Sequence, residues 1–318
     1  MRINFIKYFI TKYGQLLIYF LTLLGLVYLS VKQKLFNQVF SLEISVYFFS
    51  FFYLFVLFFL SGIQLRIIIL KSKNIKFSFV DTLMIPISQN FWGYVIPFQG
   101  SLLYSIAIFK NKYQIKAMDT IYIYAAITLF SFWTGGFFYF FYNLYLEKYL
   151  IAFFSIPFAI IPVVCFFVFK IFNVTFYKNR FFRLIKLNAL NFQKTLNSLI
   201  EDKSLILKIF ITEILFVFAY ASYSYYLSEY FEFGVSYFVW LFWAFFLKIT
   251  LLIRLTPGNL GITQGYTVAL LAIYGYPAEF GIQISLVQLF LNIILYFPVA
   301  LINSLFNLKY FLKNRFSE

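Results

Sequence analysis

The sequence predicts an all-α polytopic integral membrane protein, and three observations lead there. Of the 318 residues, 63% are hydrophobic and only 12% charged, with mean hydropathy +0.86, where a soluble domain carries about 25% charged residues. Lys and Arg collect at the ends of apolar runs, as cytoplasmic loops require. Two of those runs are broken by Pro and Gly. The expected architecture is about six full spans plus two re-entrant helical hairpins in an inverted repeat. It forms a single transmembrane domain over residues 1–318 with both termini cytoplasmic.

A spanning helix needs about 20 apolar residues. Arg2, Lys7 and Lys12 place the N-terminus inside, so Tyr13–Val31 crosses outward and Lys32–Glu43 is external. The first run ends in Lys32 and not in a small-residue cleavage site, so it reads as a span and not as a signal peptide. Ile44–Leu65 returns to a basic loop of Arg66, Lys71, Lys73 and Lys76. Phe77–Val95 is apolar but interrupted by Pro86, Ser88, Gln89 and Asn90. Ile96-Pro97-Phe98-Gln99-Gly100-Ser101 follows, and Leu102–Phe109 is too short to span. Lys110, Lys112 and Lys116 are cytoplasmic again, so this segment dips in and comes back.

Ala117–Phe141 crosses outward, and Tyr149–Phe169 returns. The stretch 170–203 is a basic cytoplasmic loop. Phe181, Leu184, Ile185, Asn188 and Phe192 fall at helical spacing there, which predicts an amphipathic helix lying on the membrane. Ser204–Leu227 crosses outward, and Glu229 and Glu232 mark an external loop. Val235–Ile253 enters, Ile262–Tyr274 leaves, and Phe280–Phe306 crosses inward to Lys309, Lys313 and Arg315. Charge alone fits ten spans equally well.

The break in the last third is Arg254-Leu-Thr-Pro-Gly-Asn-Leu-Gly-Ile-Thr-Gln-Gly265. Pro257 removes a backbone donor, and Gly258, Gly261 and Gly265 let another surface come close. A break at membrane depth must be buried in protein or line a cavity; the competing reading is a short loop at the bilayer surface. Pro97-Phe-Gln-Gly-Ser and Pro257-Gly-Asn-Leu-Gly each follow an apolar segment and precede a short helix, a turn and a long span. The first unit (77–142) starts inside and the second (235–306) outside, which is an inverted-topology repeat of the kind transporters use.

Charges inside spans cost roughly 2.5–3.5 kcal/mol each and mark function by default. Glu213, Lys248 and Arg254 are such charges. At about 1.5 Å per residue, Glu213 lies roughly 13 Å from the inner end of its span and Lys248 roughly 20 Å below the outer end of its own. The two are therefore expected to pair, leaving Arg254 for a ligand phosphate. Snorkelling is the bland account of Lys248, and a positive-inside anchor that of Arg254. Asn90, Gln99, Asn259, Gln264, Gln288 and Asn292 cluster in or just after the breaks, where helix-packing glue competes with headgroup contact.

Net charge +15 reads as topology and anionic-headgroup contact, not as nucleic-acid binding. The chain has no His and one Cys, Cys165 in an apolar run. No paired carboxylates, phosphate loop or nucleophile motif is present, so no enzyme, metal or cofactor is expected.

Leu255-Thr-Pro-Gly-Asn-Leu-Gly-Ile-Thr-Gln264 resembles the Pro-Gly-Gly-Leu-Gly-Val-x-Glu signature of the flippase-like transmembrane family. That family includes the membrane domain of lysylphosphatidylglycerol synthases. Asn90…Ile96-Pro97-Phe-Gln-Gly100, followed by Lys110 and Gln114-Ile-Lys, resembles its first motif, and Ser285-Leu-Val-Gln-Leu its Ser-Leu-x-x-Arg-Leu element. Gln264 stands where the family has Glu, and Gln288 where it often has Arg, which puts a charge-dependent step in doubt. No aminoacyl-transferase domain follows the motifs, so the resemblance implies lipid translocation without lipid synthesis. The expected function is flipping of an anionic phospholipid or lipid-linked glycan across the cytoplasmic (inner) membrane. The implied site residues are Arg254, Pro257, Gly258, Asn259, Gly261 and Gln264, with Lys248 and Glu213, and with Asn90, Pro97, Gln99 and Gly100 from the first break. The alternatives are a scaffold or accessory subunit for an envelope-synthesis enzyme, docked through 170–203, and, more weakly, a small-solute carrier.

Overall fold

The computed structural model describes residues 35–96, 100–149, 180–250 and 261–307, with isolated positions at 24, 28, 31 and between 152 and 164. The side chains of 35, 36, 38, 180–187, 189, 246 and 248–250 lie outside that description. Every regular element among the described residues is a helix. They are α1 (Leu35–Phe40), α2 (Ile44–Lys73), α3 (Phe79–Val95), α4 (Gly100–Tyr113) and α5 (Ala117–Tyr145). After them come α6 (Arg180–Ile200), α7 (Lys203–Tyr230), α8 (Tyr237–Thr250), α9 (Ile262–Ile273) and α10 (Ala278–Phe306).

Four of them, α2, α5, α7 and α10, are long and apolar enough to cross a membrane, and the chain is a helical membrane protein. They coincide with the predicted spans Ile44–Leu65, Ala117–Phe141, Ser204–Leu227 and Phe280–Phe306. The other two predicted spans, Tyr13–Val31 and Tyr149–Phe169, fall outside the described residues apart from isolated positions.

Helix α2 runs on past Leu65 to Lys73 because its charges suit its end. Lys71 and Lys73 sit in the last turn, where the helix dipole favours cations. Lys71 Nζ pairs with Asp202 at 2.8 Å and Lys73 Nζ with Asp119 at 2.7 Å. Asn74, in the left-handed region at φ 54°, closes the helix by donating its N–H to the Leu70 carbonyl.

Pro86 does not interrupt α3, which continues through it to Val95. A proline costs the helix the N–H that would reach the carbonyl four residues back, here that of Thr82. This carbonyl lies against Gly62 of α2: a Cβ added at Gly62 would stand 1.6 Å from the Thr82 oxygen. The backbone of α2 therefore covers the carbonyl that Pro86 strands.

Helix α6 corrects one expectation. Phe192, Leu196 and Leu199 are buried in a core cluster with Ile68, Ile69 and Ile123, and Tyr122 donates its hydroxyl to Asn188 Oδ1 at 2.9 Å. Over 192–199 the apolar face packs on α2 and α5, whereas the side chains of Phe181, Leu184 and Ile185 lie outside the described residues. The pattern that predicts a membrane-lying helix is equally that of a helix docked on protein.

Two sets of four helices share one order: long, short, short, long. They are α2–α3–α4–α5 and α7–α8–α9–α10. Ile44 to Lys203 is a shift of 159 residues, and Ala117 to Ala278 and Tyr145 to Phe306 are shifts of 161. Two left-handed turn residues of each set keep the same register: Asn74 matches Gly234, and Gln114 (φ 57°) matches Gly275 (φ 86°). Neighbours match too. Helix α3 packs on α2 and crosses to α10, while α8 packs on α7 and crosses to α5. Phe91 meets Phe297 at 5.0 Å in the first crossing, and Phe245 meets Phe138 at 4.8 Å in the second.

The two leading helices, α2 and α7, run antiparallel. Phe49 meets Tyr226 at 5.2 Å and Tyr53 meets Tyr223 at 5.8 Å, whereas Lys71 meets Asp202 at the other end. The leading helices of the two sets therefore point in opposite directions.

Candidate functional site

The predicted site residues divide by whether the structure describes them. Pro97, Gln99, Arg254, Pro257, Gly258 and Asn259 lie outside the described residues. Lys248 falls in the last turn of α8, with its side chain outside the description, so the expected Glu213–Lys248 pair lies outside it too. The described positions are Glu213, Asn90, Gly100, Gly261 and Gln264.

Glu213 is 1% exposed on α7, and its Oε2 accepts a 2.9 Å hydrogen bond from Gln64 Nε2 on α2. A carboxylate needs such donors when it is taken out of water. Gln64 was not singled out by sequence, because a neutral amide inside an apolar run carries no charge signal. Asn90 is half-buried on α3. Gly100 opens α4 where a Cβ would stand 2.1 Å from the Trp92 carbonyl oxygen. Its role is to let α4 fold back tightly on α3.

Gly261 has φ 80°, a conformation that costs glycine little. The Gln264 side chain is buried, and its Oε1 accepts the Gly261 N–H at 2.7 Å. Gln264 thereby satisfies one of the orphan donors at the start of α9, so its acceptor oxygen serves the backbone. Gln288 holds α10 to α7: its Nε2 donates to Ser224 Oγ at 2.8 Å, and its Oε1 accepts from the Tyr220 hydroxyl at 3.2 Å.

A denser polar cluster lies between α3, α4, α5 and α10. Gln89 Nε2 donates to Ser105 Oγ at 2.5 Å and to the Tyr124 hydroxyl, joining α3, α4 and α5. Asn303 Nδ2 of α10 donates to Ser88 Oγ at 2.8 Å, and Trp92 Nε1 donates to Ser304 Oγ at 3.1 Å. Ser88, Ser105 and Tyr104 are buried. The residues flanking Pro86 thus carry the cluster, a signal present in the sequence as the polar run 88–90.

Charge separates the two ends of the molecule. At the end where α2 and α4 finish and α3, α5 and α7 start, Lys76, Lys110, Lys116, Lys194, Lys203 and Lys208 are exposed. Lys112 Nζ there pairs with Asp81 at 2.6 Å. Asp202 caps α7 by accepting the Leu205 N–H at 3.1 Å. The Lys71 ammonium and that N–H hold its carboxyl below the usual carboxylate range. The opposite end exposes Glu43, Glu147, Glu229, Glu232 and Glu279. Lys148 Nζ there donates to the Ile273 carbonyl at 3.0 Å and lies 4.1 Å from the centre of the Tyr274 ring, capping α9 as a cation should. Among the described residues, no three His, Cys, Asp or Glu side chains gather as a metal set would. No protein-family model, curated protein or solved structure matches the chain.

Proposed function

We propose that the chain is a lipid translocator of the cytoplasmic membrane, moving an anionic phospholipid or a lipid-linked glycan between leaflets, as its resemblance to the flippase-like family implies. The observation that carries this reading is the pair of four-helix sets of one order, long, short, short, long, whose leading helices run antiparallel. Transporters built on inverted repeats place substrate sites where such broken helices meet. Helices α3, α4, α8 and α9 have 17, 14, 14 and 12 residues. At about 1.5 Å per residue they reach roughly 18–26 Å, short of a core about 30 Å thick. In this reading each pair enters the membrane and returns. With Tyr13–Val31 and Tyr149–Phe169 added, the full count is six spans and two re-entrant hairpins, with the basic end of the molecule and both termini in the cytoplasm.

The mechanism follows from the breaks. Arg254, with Lys248 near it in the sequence, would meet the lipid phosphate, and the N-terminus of α9 would add its positive dipole end. Pro257, Gly258 and Asn259, like Pro97 and Gln99 in the first half, would keep the backbone open for the headgroup. Scrambling of a fluorescent anionic lipid in reconstituted vesicles tests this, with Arg254→Ala beside the wild type. Wild-type scrambling that falls at least tenfold in the variant, about 1.4 kcal/mol in transition-state terms, is the expected result. Equal rates remove Arg254 from the mechanism. No scrambling of any lipid removes the translocator and favours a scaffold docking an envelope-synthesis enzyme.

A further inference from the structure

The two halves match in order and register but differ at one seam. Helix α9 lies closely along α10, and at Gly281 a Cβ would stand 2.9 Å from the backbone of Val268. The corresponding helices of the first half, α4 and α5, approach one another over a shorter stretch. The Gln89 side chain reaches from α3 to both of them, at Ser105 and Tyr124. Under the 161-residue shift Tyr124 corresponds to Ser285, whose hydroxyl bonds the Gly281 and Ile282 carbonyls of its own helix. The second seam is closed by backbone contact, and the first by side chains: the Phe109 ring stacks on Tyr124 at 6.5 Å, and the Gln89 amide bridges Ser105 and Tyr124 beside it.

The bridge lies at one depth. Gln89 is ten residues from the start of α3, Ser105 eight from the end of α4 and Tyr124 seven from the start of α5. At about 1.5 Å per residue all three stand roughly 10–15 Å in from the basic end. Below them, at the mouth of the same seam, Lys73, Lys110, Lys112 and Lys116 outnumber Asp81 and Asp119. Lys110 and Lys116 are exposed, and Leu103 and Met118 present apolar surface beside the seam. A basic mouth concentrates anionic headgroups. An amide and hydroxyls above it can exchange bonds with one another for bonds to phosphate oxygens, at little net cost.

We propose that the α4–α5 seam is the lateral portal by which the headgroup of an anionic lipid enters from the basic face, with Gln89, Ser105 and Tyr124 as the hydrogen-bonding rung that receives it. The proposal deepens the translocator reading and rests on its handling of lipid, but its test reads binding rather than transport. Benzoylphenylalanine is placed at Leu103, which is exposed beside the rung and outside it, or at Tyr266 of α9 as the second-half control, in the full chain. Each protein is reconstituted in phosphatidylcholine vesicles containing radiolabelled phosphatidylglycerol, or radiolabelled phosphatidylcholine alone, and irradiated. Position 103 should capture phosphatidylglycerol several-fold more than position 266 does, and several-fold more than it captures phosphatidylcholine. Gln89→Glu, close to isosteric, should bring phosphatidylglycerol capture at 103 down to the phosphatidylcholine level. Equal capture at the two positions, or of the two lipids at 103, overturns the portal. Capture at 103 without scrambling removes transport and keeps the portal; scrambling without selective capture does the reverse.

Discussion

Thr82, Pro86 and Gly62 form a unit in which each residue explains the next. Proline strands a carbonyl, and the missing Cβ of glycine lets the neighbouring helix cover it. Gly62→Ala should therefore lower the unfolding temperature in detergent, with overpacking costing about 1–3 kcal/mol or more; an unchanged melt would show that α2 and α3 are not held together there. Asp202 gives a pH-dependent test. Its folded carboxyl titrates below its ordinary value, so its stabilisation is present above that ordinary value and is lost as pH falls through the folded one. Asp202→Asn keeps a capping oxygen while removing the charge. It should melt lower than the wild type at neutral pH, and the difference should close as pH drops below about 4. Single residues were the least legible level in the sequence. Glu213 stood out by its charge, but its partner Gln64 did not. Gln264 stood out by a motif, yet its oxygen serves the Gly261 N–H. Hydropathy finds charges, and it is blind to which neutral amide will face them.

At the scale of elements, four spans were legible because a run of about 20 apolar residues has few alternatives in a membrane protein. Their ends were less so: Arg66, Lys71 and Lys73 stop a hydropathy plot but not α2, whose last turn gains from Lys71 and Lys73. Pro86 suggested an irregular segment, and the packing of α2 on α3 absorbs it. Helix α6 was legible as amphipathic, but its pattern does not say whether lipid or protein takes the apolar face. The answer lies in Phe192, Leu196 and Leu199, which enter the core. Leu199→Ala should cost about 2–5 kcal/mol and loosen α6 from α2 and α5. Limited proteolysis of the purified protein should then cut within 180–200 faster than in the wild type. An unchanged cleavage rate there would mean that Leu199 does not hold the helix down.

For the whole molecule, the match of the halves exceeds what two short Pro-and-Gly motifs suggested. A register of 159–161 residues relates the start of α2 to that of α7, both ends of α5 to those of α10, and two left-handed turns, while the short helices between them differ in length and the side chains have diverged. That divergence hid the register from sequence reading: Tyr124 and Ser285 share a position but not chemistry. Opposite orientation of the halves is the claim on which translocation depends. It is tested most directly by single cysteines at exposed turns in a Cys165→Ser background. Lys76→Cys and Lys116→Cys report the first half, and Ser236→Cys and Glu279→Cys the second. A membrane-impermeant maleimide is applied to intact cells and again after permeabilisation. The account predicts immediate labelling at 236 and 279, and labelling at 76 and 116 only after permeabilisation. Labelling of all four from the same side would contradict it.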